Sequence, residues 1–184
     1  MKKIVCFCLI VTSLSFGQNK KEDISFNEIK GNLLLAPIGA LELTYENDFS
    51  EHQGIGISAF FRFSDVDIHT KFSLTPYYRY YFGKNVAKGF FVESFAMYNQ
   101  YKPYDKYIFT NNEPFFIGQM KESQMENDFA LGLGMGSKWL AGDNFIIEIN
   151  AGFGLNLFND YSTSSTLYGE KYVGRLGIIL GQRF

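Results

Sequence analysis

Residues 129–139 read FALGLGMGSKW, a stretch in which bulky apolar side chains alternate with alanine, glycine and lysine. Alternation with a period of two predicts a β-strand whose two faces meet different surroundings. One face of this strand is bulky and apolar, whereas the other is small and carries a positive charge. The stretch therefore indicates a sheet with one apolar face and one face on a confined polar space.

The same alternation recurs from Ile29 to the end of the chain. We predict eight strands, at residues 29–36, 38–47, 54–63, 71–82, 88–100, 127–141, 144–156 and 168–184. Most have the length of about 9–11 residues with which a tilted strand crosses a bilayer. Short connections (48–53, 83–87, 141–144) alternate with longer ones (64–70, 101–126, 157–167), as in small outer-membrane barrels. We therefore predict an all-β fold, an eight-stranded antiparallel up-and-down transmembrane β-barrel.

The orientation of the two faces follows from volume. An eight-stranded barrel encloses a space that side chains just fill, and the uncharged, aromatic-rich face is too bulky for it, whereas the charged, glycine-rich face fits. We expect the bulky face to contact lipid, with a periplasmic girdle of aromatic side chains near the short turns. Its predicted members are Tyr78, Tyr80, Phe82, Trp139, Phe145 and Phe184. The alternative is a soluble, lipocalin-like barrel that turns the apolar face inward around a ligand.

The N-terminus resembles a secretory signal. Lys2 and Lys3 precede a short apolar run at 4–14, and small residues before Gln18 suit cleavage. We predict a signal peptide at 1–17, a periplasmic tail at 18–28 and a barrel at 29–184, with the mature protein in the outer membrane. Both cysteines lie in the signal, so we expect neither a disulfide nor a cysteine metal site. The sequence has no run of basic residues, so we expect no binding to nucleic acid.

Three motifs carry a resemblance. The chain ends in Gly181-Gln182-Arg183-Phe184, which resembles the signal read by the outer-membrane assembly machinery, although Gln182 stands where an apolar residue is usual. Residues 30–34 and 41–46, with 76–82 in mid-chain, resemble a family of small Gram-negative outer-membrane β-barrels of unknown function, with an OmpA/OmpX-like eight-stranded architecture. This resemblance implies a fold and a location but no established activity.

Charged residues on the glycine-rich face are expected to pair, because an unpaired charge in a narrow lumen is costly. We predict a lumen network of Glu42, Arg79, Glu93, Glu148 and Arg175. Arginine binds carboxylates with two parallel hydrogen bonds, which favours a fixed structural plug. A narrow ion or small-solute channel is the alternative.

The longest connection, 101–126, carries aromatic side chains in a polar setting that suits contact with a partner. The candidate contact residues are Tyr101, Tyr104, Tyr107, Phe109, Phe115 and Phe116. We predict a non-enzymatic structural or binding protein, or an accessory subunit of a larger outer-membrane complex, with no cofactor, catalytic residue or metal. A lipid-modifying barrel enzyme is a third possibility, for which His69 with Asp65 and Asp67 is the candidate cluster.

Overall fold

The computed structural model describes residues 25–64, 70–83, 86–102, 106–109, 118–121, 124–158 and 171–184 (the backbone alone in 106–109 and 118–121). The predicted signal peptide, most of the predicted tail and the His69 cluster lie outside these residues. No helix in the described ranges is long and apolar enough to cross a membrane.

Eight long strands close into one antiparallel barrel, which confirms the predicted all-β, eight-stranded, up-and-down architecture. They are β1 (Phe26–Asn32), β2 (Ala40–Asp48), β3 (Gln53–Arg62), β4 (Thr70–Tyr81), β5 (Gly89–Tyr101), β8 (Glu126–Ala141), β9 (Phe145–Asn156) and β10 (Tyr172–Arg183). Each strand pairs with its neighbour along the chain, and β10 closes the barrel on β1. Two four-residue strands, β6 (Lys106–Phe109) and β7 (Gly118–Lys121), form a separate hairpin within the longest connection.

The two ends of the barrel differ, as the connection lengths predict. Short turns at 49–52, 82–88 and 142–144 lie at one end, together with Phe26 and Phe184; we call it the short-turn end. The connections at 63–69, 102–125 and 157–171 lie at the opposite, long-loop end. Both ends of the barrel chain therefore emerge on the short-turn side.

The first strand differs from the prediction at both ends. It begins at Phe26, inside the predicted tail, and stops at Asn32, whereas the prediction was 29–36. A 3-10 helix, Leu33–Ile38, follows because the Asn32 side chain accepts a hydrogen bond from the Leu34 N–H and Pro37 cannot donate to a strand ladder. Gly39 ends this helix with a φ of 70°, a left-handed conformation that glycine adopts without strain.

Burial alternates along the strands in the sense that the sequence predicts. In β4, Tyr78 and Tyr80 are 40% and 39% exposed, whereas the intervening Arg79 and the following Tyr81 are fully buried. The outward positions of the other long strands are likewise apolar and exposed. The charged and small residues therefore face the space enclosed by the strands, which we call the lumen.

Glycines on β8 and β9 make room inside the lumen for rings from β5. A Cβ atom on Gly132 would collide with the Phe95 ring, and one on Gly136 would collide with the Phe91 ring. Tyr77, Phe95 and Met97 form one buried apolar cluster with Ala130. Side chains thus pack across the lumen, as expected for a barrel of eight strands.

The turn between β4 and β5 folds back across the short-turn end. The Ala87 N–H donates to the Glu51 carbonyl at 2.8 Å, and Ala87 is fully buried against Tyr81 and Phe91. The Arg183 side chain donates to the Ala87 carbonyl at 3.0 Å. This turn therefore covers the lumen from below.

Candidate functional site

The inward charges gather in the half of the lumen nearer the short-turn end. Together with two less buried residues above them, Glu42 and Arg175, they form what we call the lumen network. Its buried members are Glu28, Lys30, Glu46, Asp48, Arg79, Glu93, Lys138, Glu148 and Arg183. They come from seven of the eight barrel strands, so the barrel must close before the network is complete.

Arg79 lies at the centre and contacts three carboxylates on three other strands. Its Nη1 is 2.9 Å from Glu46 Oε2, its Nε is 2.9 Å from Glu93 Oε2 and its Nη2 is 2.8 Å from Glu148 Oε1. The guanidinium also lies 4.1 Å from the centre of the Phe91 ring. Charge-assisted hydrogen bonds on every side and an aromatic face hold the Arg79 side chain in one position.

Glu46 receives the largest number of donors within the described network. Lys30 Nζ and Lys138 Nζ lie 2.7 and 2.6 Å from its two carboxylate oxygens. The Tyr77 and Tyr81 hydroxyls each donate to the same carboxylate, Tyr77 to Oε2 and Tyr81 to Oε1. With Arg79, five donors surround one buried carboxylate, which compensates for its removal from water.

Two lysines carry the network across to the remaining acids. Lys30 Nζ also lies 3.1 Å from Glu148 Oε2 and 3.2 Å from Glu28 Oε2. Lys138 Nζ lies 2.7 Å from Glu28 Oε2 and 3.3 Å from Asp48 Oδ2. Each ammonium therefore contacts three carboxylates, a geometry that suits its compact, rotatable set of donors.

Arg175 and Glu42 extend the network toward the long-loop end, where burial is less complete. Arg175 Nη1 lies 2.8 Å from Glu93 Oε1, and its Nη2 lies 3.4 Å from Glu42 Oε1 and 3.2 Å from Ser58 Oγ. Asn32 donates to Glu42 at 2.8 Å. Above this level the inward polar side chains include the hydrogen-bonded pair Asn99 and Asn156 and the buried Asp128, whose Oδ1 accepts from the Phe158 N–H at 3.0 Å.

Arg183 completes the network at the short-turn end. Its Nη2 lies 2.7 Å from Glu28 Oε1 and 3.2 Å from Asp48 Oδ2. Asp48 Oδ1 is buried and has no hydrogen-bond partner within the described residues. The ion pairs of the lumen network join six carboxylates to five cations, so the described network carries one acidic group in excess.

The structure brings together all five residues of the predicted network: Glu42, Arg79, Glu93, Glu148 and Arg175. Four further members lie on the charged, glycine-rich face that the sequence predicts to point inward, although they were not assigned to the network: Lys30, Glu46, Lys138 and Arg183. The prediction did not include Glu28, which fell in the predicted tail, or Asp48, which fell in a predicted turn. Both continue the period-two pattern of a neighbouring inward residue, Lys30 or Glu46, and that continuation was the available signal.

Three carboxylates of the network lie close enough to share a cation: Glu28, Glu46 and Asp48. Lys138 Nζ already lies within 3.3 Å of an oxygen of each of them. The positive charge at this point is thus the protein's own ammonium group. The arrangement holds these charges in fixed positions.

The predicted aromatic girdle lies toward the short-turn end, and its members are exposed. The exposed fractions are 40% for Tyr78, 39% for Tyr80, 58% for Phe82, 48% for Trp139, 45% for Phe145 and 61% for Phe184. The Tyr80 and Phe82 rings contact each other edge to face, with centres 5.1 Å apart. This end therefore presents aromatic rings to the outside of the barrel.

The predicted partner-contact residues are distributed differently from the prediction. Tyr101 is the last residue of β5 and is buried, so it is not displayed as a contact residue. Tyr107 and Phe109 lie on β6, where only the backbone is described. Tyr104, Phe115 and Phe116 lie outside the described residues.

Comparisons with known proteins give a family and a fold. A family described as "Protein of unknown function (DUF3575)" matches residues 4–174. No curated protein matches the chain at a significant level. Among solved structures, the N-terminal β-barrel domain of Pseudomonas aeruginosa OprF is similar, with a TM-score of 0.54 and 12% sequence identity over 87% of this chain and 96% of that chain. At this identity the likeness shows the barrel fold alone.

Proposed function

Since the chain belongs to the DUF3575 family of proteins of unknown function, we propose a function from its own architecture. The protein is a small non-enzymatic outer-membrane barrel whose lumen network closes the lumen. It acts as a structural or binding protein through the 101–126 loop, as a free-standing barrel or as an accessory subunit of a larger outer-membrane complex. The observation that carries this proposal is the fully buried network around Arg79 and Glu46.

The outward face supports a membrane location. Exposed large apolar side chains occur on every long strand, including Ile29, Leu43, Ile57, Leu133 and Ile149. A water-soluble protein rarely exposes so large a continuous apolar surface, whereas a transmembrane barrel requires it. The exposed rings of the short-turn end suit one membrane interface, and that end faces the periplasm because outer-membrane barrels have short turns on the periplasmic side.

The contents of the lumen support a plug. Arg79, Lys30 and Lys138 are fully buried across its width, and the Tyr81 and Phe91 rings pack beneath Arg79 with the Ala87 turn below them. Removing any one of these cations leaves three buried carboxylates with one partner fewer in a confined space. The network therefore stabilises the closed lumen.

The narrow channel is the second candidate, because charged groups line the path from Glu42 to Asp48. Planar-bilayer recording distinguishes the two functions. The plug is expected to show no steady conductance, and Arg79→Ala is expected to introduce leak current. Steady ohmic conductance in the unaltered protein, changed in size by Glu148→Ala, would instead establish the channel.

The membrane location is tested first by fractionation. The protein is expected to sediment with outer membranes, to require detergent for extraction and to change gel mobility on heating. Recovery in the soluble fraction without detergent would contradict the membrane location.

The binding role is tested on the loop. The double variant Phe115→Ser, Phe116→Ser is expected to release a co-purifying partner while the heat-dependent gel mobility stays unchanged. Phe158→Ser is the matched control, because Phe158 is a 76% exposed aromatic residue in a different connection at the same end. Equal partner recovery from all three proteins, or silent deletion of residues 103–123, would contradict the loop's role.

A further inference from the structure

A groove of about 630 Å³ lies on the outer surface of the barrel, over β2 to β5 and β8. Short side chains line its middle: Pro76 on β4, with Ser94 and Ala96 on β5. Bulkier neighbours flank them in the register of the sheet, since Ile57 pairs with Pro76, Tyr78 pairs with Ser94 and Leu131 pairs with Ala96. The groove is thus a gap in the coat of large side chains that covers the outward face.

The lining of the groove is apolar and uncharged, and one side of it borders polar groups. Tyr45 and Asn47 belong to the lining, on the strand that ends at the short-turn end. The Tyr45 hydroxyl donates to Asn27 Oδ1 at 2.7 Å, and Asn47 Nδ2 donates to the same oxygen at 2.9 Å. An apolar groove bordered by uncharged amide and hydroxyl groups suits a ligand with a long apolar part and a polar end.

We propose that this groove holds one acyl chain of a phospholipid from the leaflet on the short-turn side, with the lipid ester and headgroup beside Asn27 and Asn47. The inference rests on the proposed membrane location. It goes beyond that location by assigning a specific lipid site to one part of the wall.

The volume selects an acyl chain over a protein segment. A liquid water molecule occupies roughly 30 Å³ and a methylene group is of similar size, so the groove has room for roughly twenty methylene groups. A helix about 10–12 Å wide, rising 5.4 Å a turn, fills that volume in about one turn, whereas a spanning helix needs about 20 residues. One hydrocarbon chain of ordinary length therefore fills the groove, and a helix does not enter it.

The test compares two alanines on the outward face. Ala96→Phe fills the groove, and Ala151→Phe is the matched control on β9, exposed and outside the groove. The full-length protein is reconstituted in nanodiscs of phosphatidylethanolamine and phosphatidylglycerol, exchanged into detergent and analysed by native mass spectrometry. The unaltered protein and Ala151→Phe are expected to retain one phospholipid per chain.

Ala96→Phe is expected to retain roughly tenfold less lipid. A tenfold loss of binding corresponds to about 1.4 kcal/mol, which is slightly less than the free energy of burying two methylene groups. Equal retention by both variants, or no lipid retained by the unaltered protein, would overturn the proposal.

A second measurement needs no variant. The unaltered protein is illuminated in nanodiscs with a phospholipid that carries a diazirine in its acyl chain. Label is expected to concentrate on β4 and β5 near Pro76 and Ala96, and even labelling of all outward strands would refute the site. If the protein sediments with outer membranes but labels evenly, only the groove proposal fails; if it is soluble, the proposed function fails as well.

Discussion

Arg79 on β4 and Glu148 on β9 meet across the lumen through two hydrogen bonds, Nη1 to Oε2 at 2.9 Å and Nη2 to Oε1 at 2.8 Å. The two strands are not neighbours in the sheet. This bidentate pair therefore ties opposite walls of the barrel together, independently of the backbone ladder. Both side chains are fully buried.

Replacing Arg79 by alanine is expected to lower the free energy of unfolding by about 3–5 kcal/mol, because three buried carboxylates lose the cation they share and the acidic excess of the network grows by one. Urea unfolding, followed by the fluorescence of the single tryptophan, Trp139, measures this loss. The exposed Lys171→Ala serves as control and is expected to change the value by less than about 0.5 kcal/mol. In a double-mutant cycle, Arg79→Ala and Glu148→Ala together should cost less than the sum of the single changes; strict additivity would argue against the pair.

Asp48 and Glu46 are expected to respond oppositely to loss of charge. Asp48 carries an unpartnered oxygen in a network with one acidic group in excess, so Asp48→Asn should change the free energy of unfolding by less than about 1 kcal/mol. Glu46→Gln should lower it by about 3–5 kcal/mol, because two lysines and Arg79 lose their shared carboxylate. The two amide variants remove the same charge and are measured side by side in urea; the reverse order would contradict the assignment of Glu46 as the carboxylate with the most donors.

Gly132 is expected to tolerate no side chain, because a Cβ there meets the Phe95 ring. Gly132→Val should lower the stability of the barrel by about 1–3 kcal/mol through overpacking. Replacing the Phe95 ring by the smaller leucine side chain (Phe95→Leu) should recover part of that stability. Gly174→Val is the control, since no atom lies within 4 Å of its added Cβ. The fraction that keeps heat-dependent gel mobility reports the outcome; equal behaviour of the two valine variants would show that the lumen is not tightly packed.

Leu133 lies in the middle of β8 and is 71% exposed, so a charged substitution there tests directly whether lipid surrounds this face of the barrel. If lipid surrounds it, Leu133→Arg should cost about 2–4 kcal/mol in vesicles, the penalty for a cation near the bilayer midplane. Asp143→Arg, in the exposed turn between β8 and β9, is the control and should be nearly neutral. A neutral Leu133→Arg would mean that this face meets water.

The sequence predicted the strands well, because the same period-two alternation specifies both the outward and the lumen-facing residues of each barrel strand. Lumen-facing Arg79 between outward Tyr78 and Tyr80 leaves only one consistent orientation for β4. The end of β1 was predicted wrongly because Leu33, Leu34 and Leu35 extend an apolar run without alternation. The Asn32 cap and Pro37 bend that run into a helix instead.

Which charges meet was harder to predict than which charges face inward. Contacts such as Lys30 with Glu148, 118 residues apart, depend on the register of every intervening strand pair and on strand tilt. Glu28 and Asp48 were missed because strand ends are the least certain part of a period-two pattern. The groove at Pro76 and Ala96 also depends on register, since it forms only where β4 and β5 bring short side chains into one lining.

Arg183 sits on the last strand, and its guanidinium binds Glu28 on the first strand and Asp48 on the second. Backbone bonds between Asn27 and Phe184 extend the same seam between β1 and β10. Until the seam joins, Arg183 is separated from both carboxylates, so Glu28 and Asp48 have only the lysines of the other strands to offset their charge. Two costs therefore oppose a half-joined seam: unpaired backbone groups along β1 and β10, and carboxylates that lack Arg183. We therefore expect the seam to join in a single all-or-none folding step.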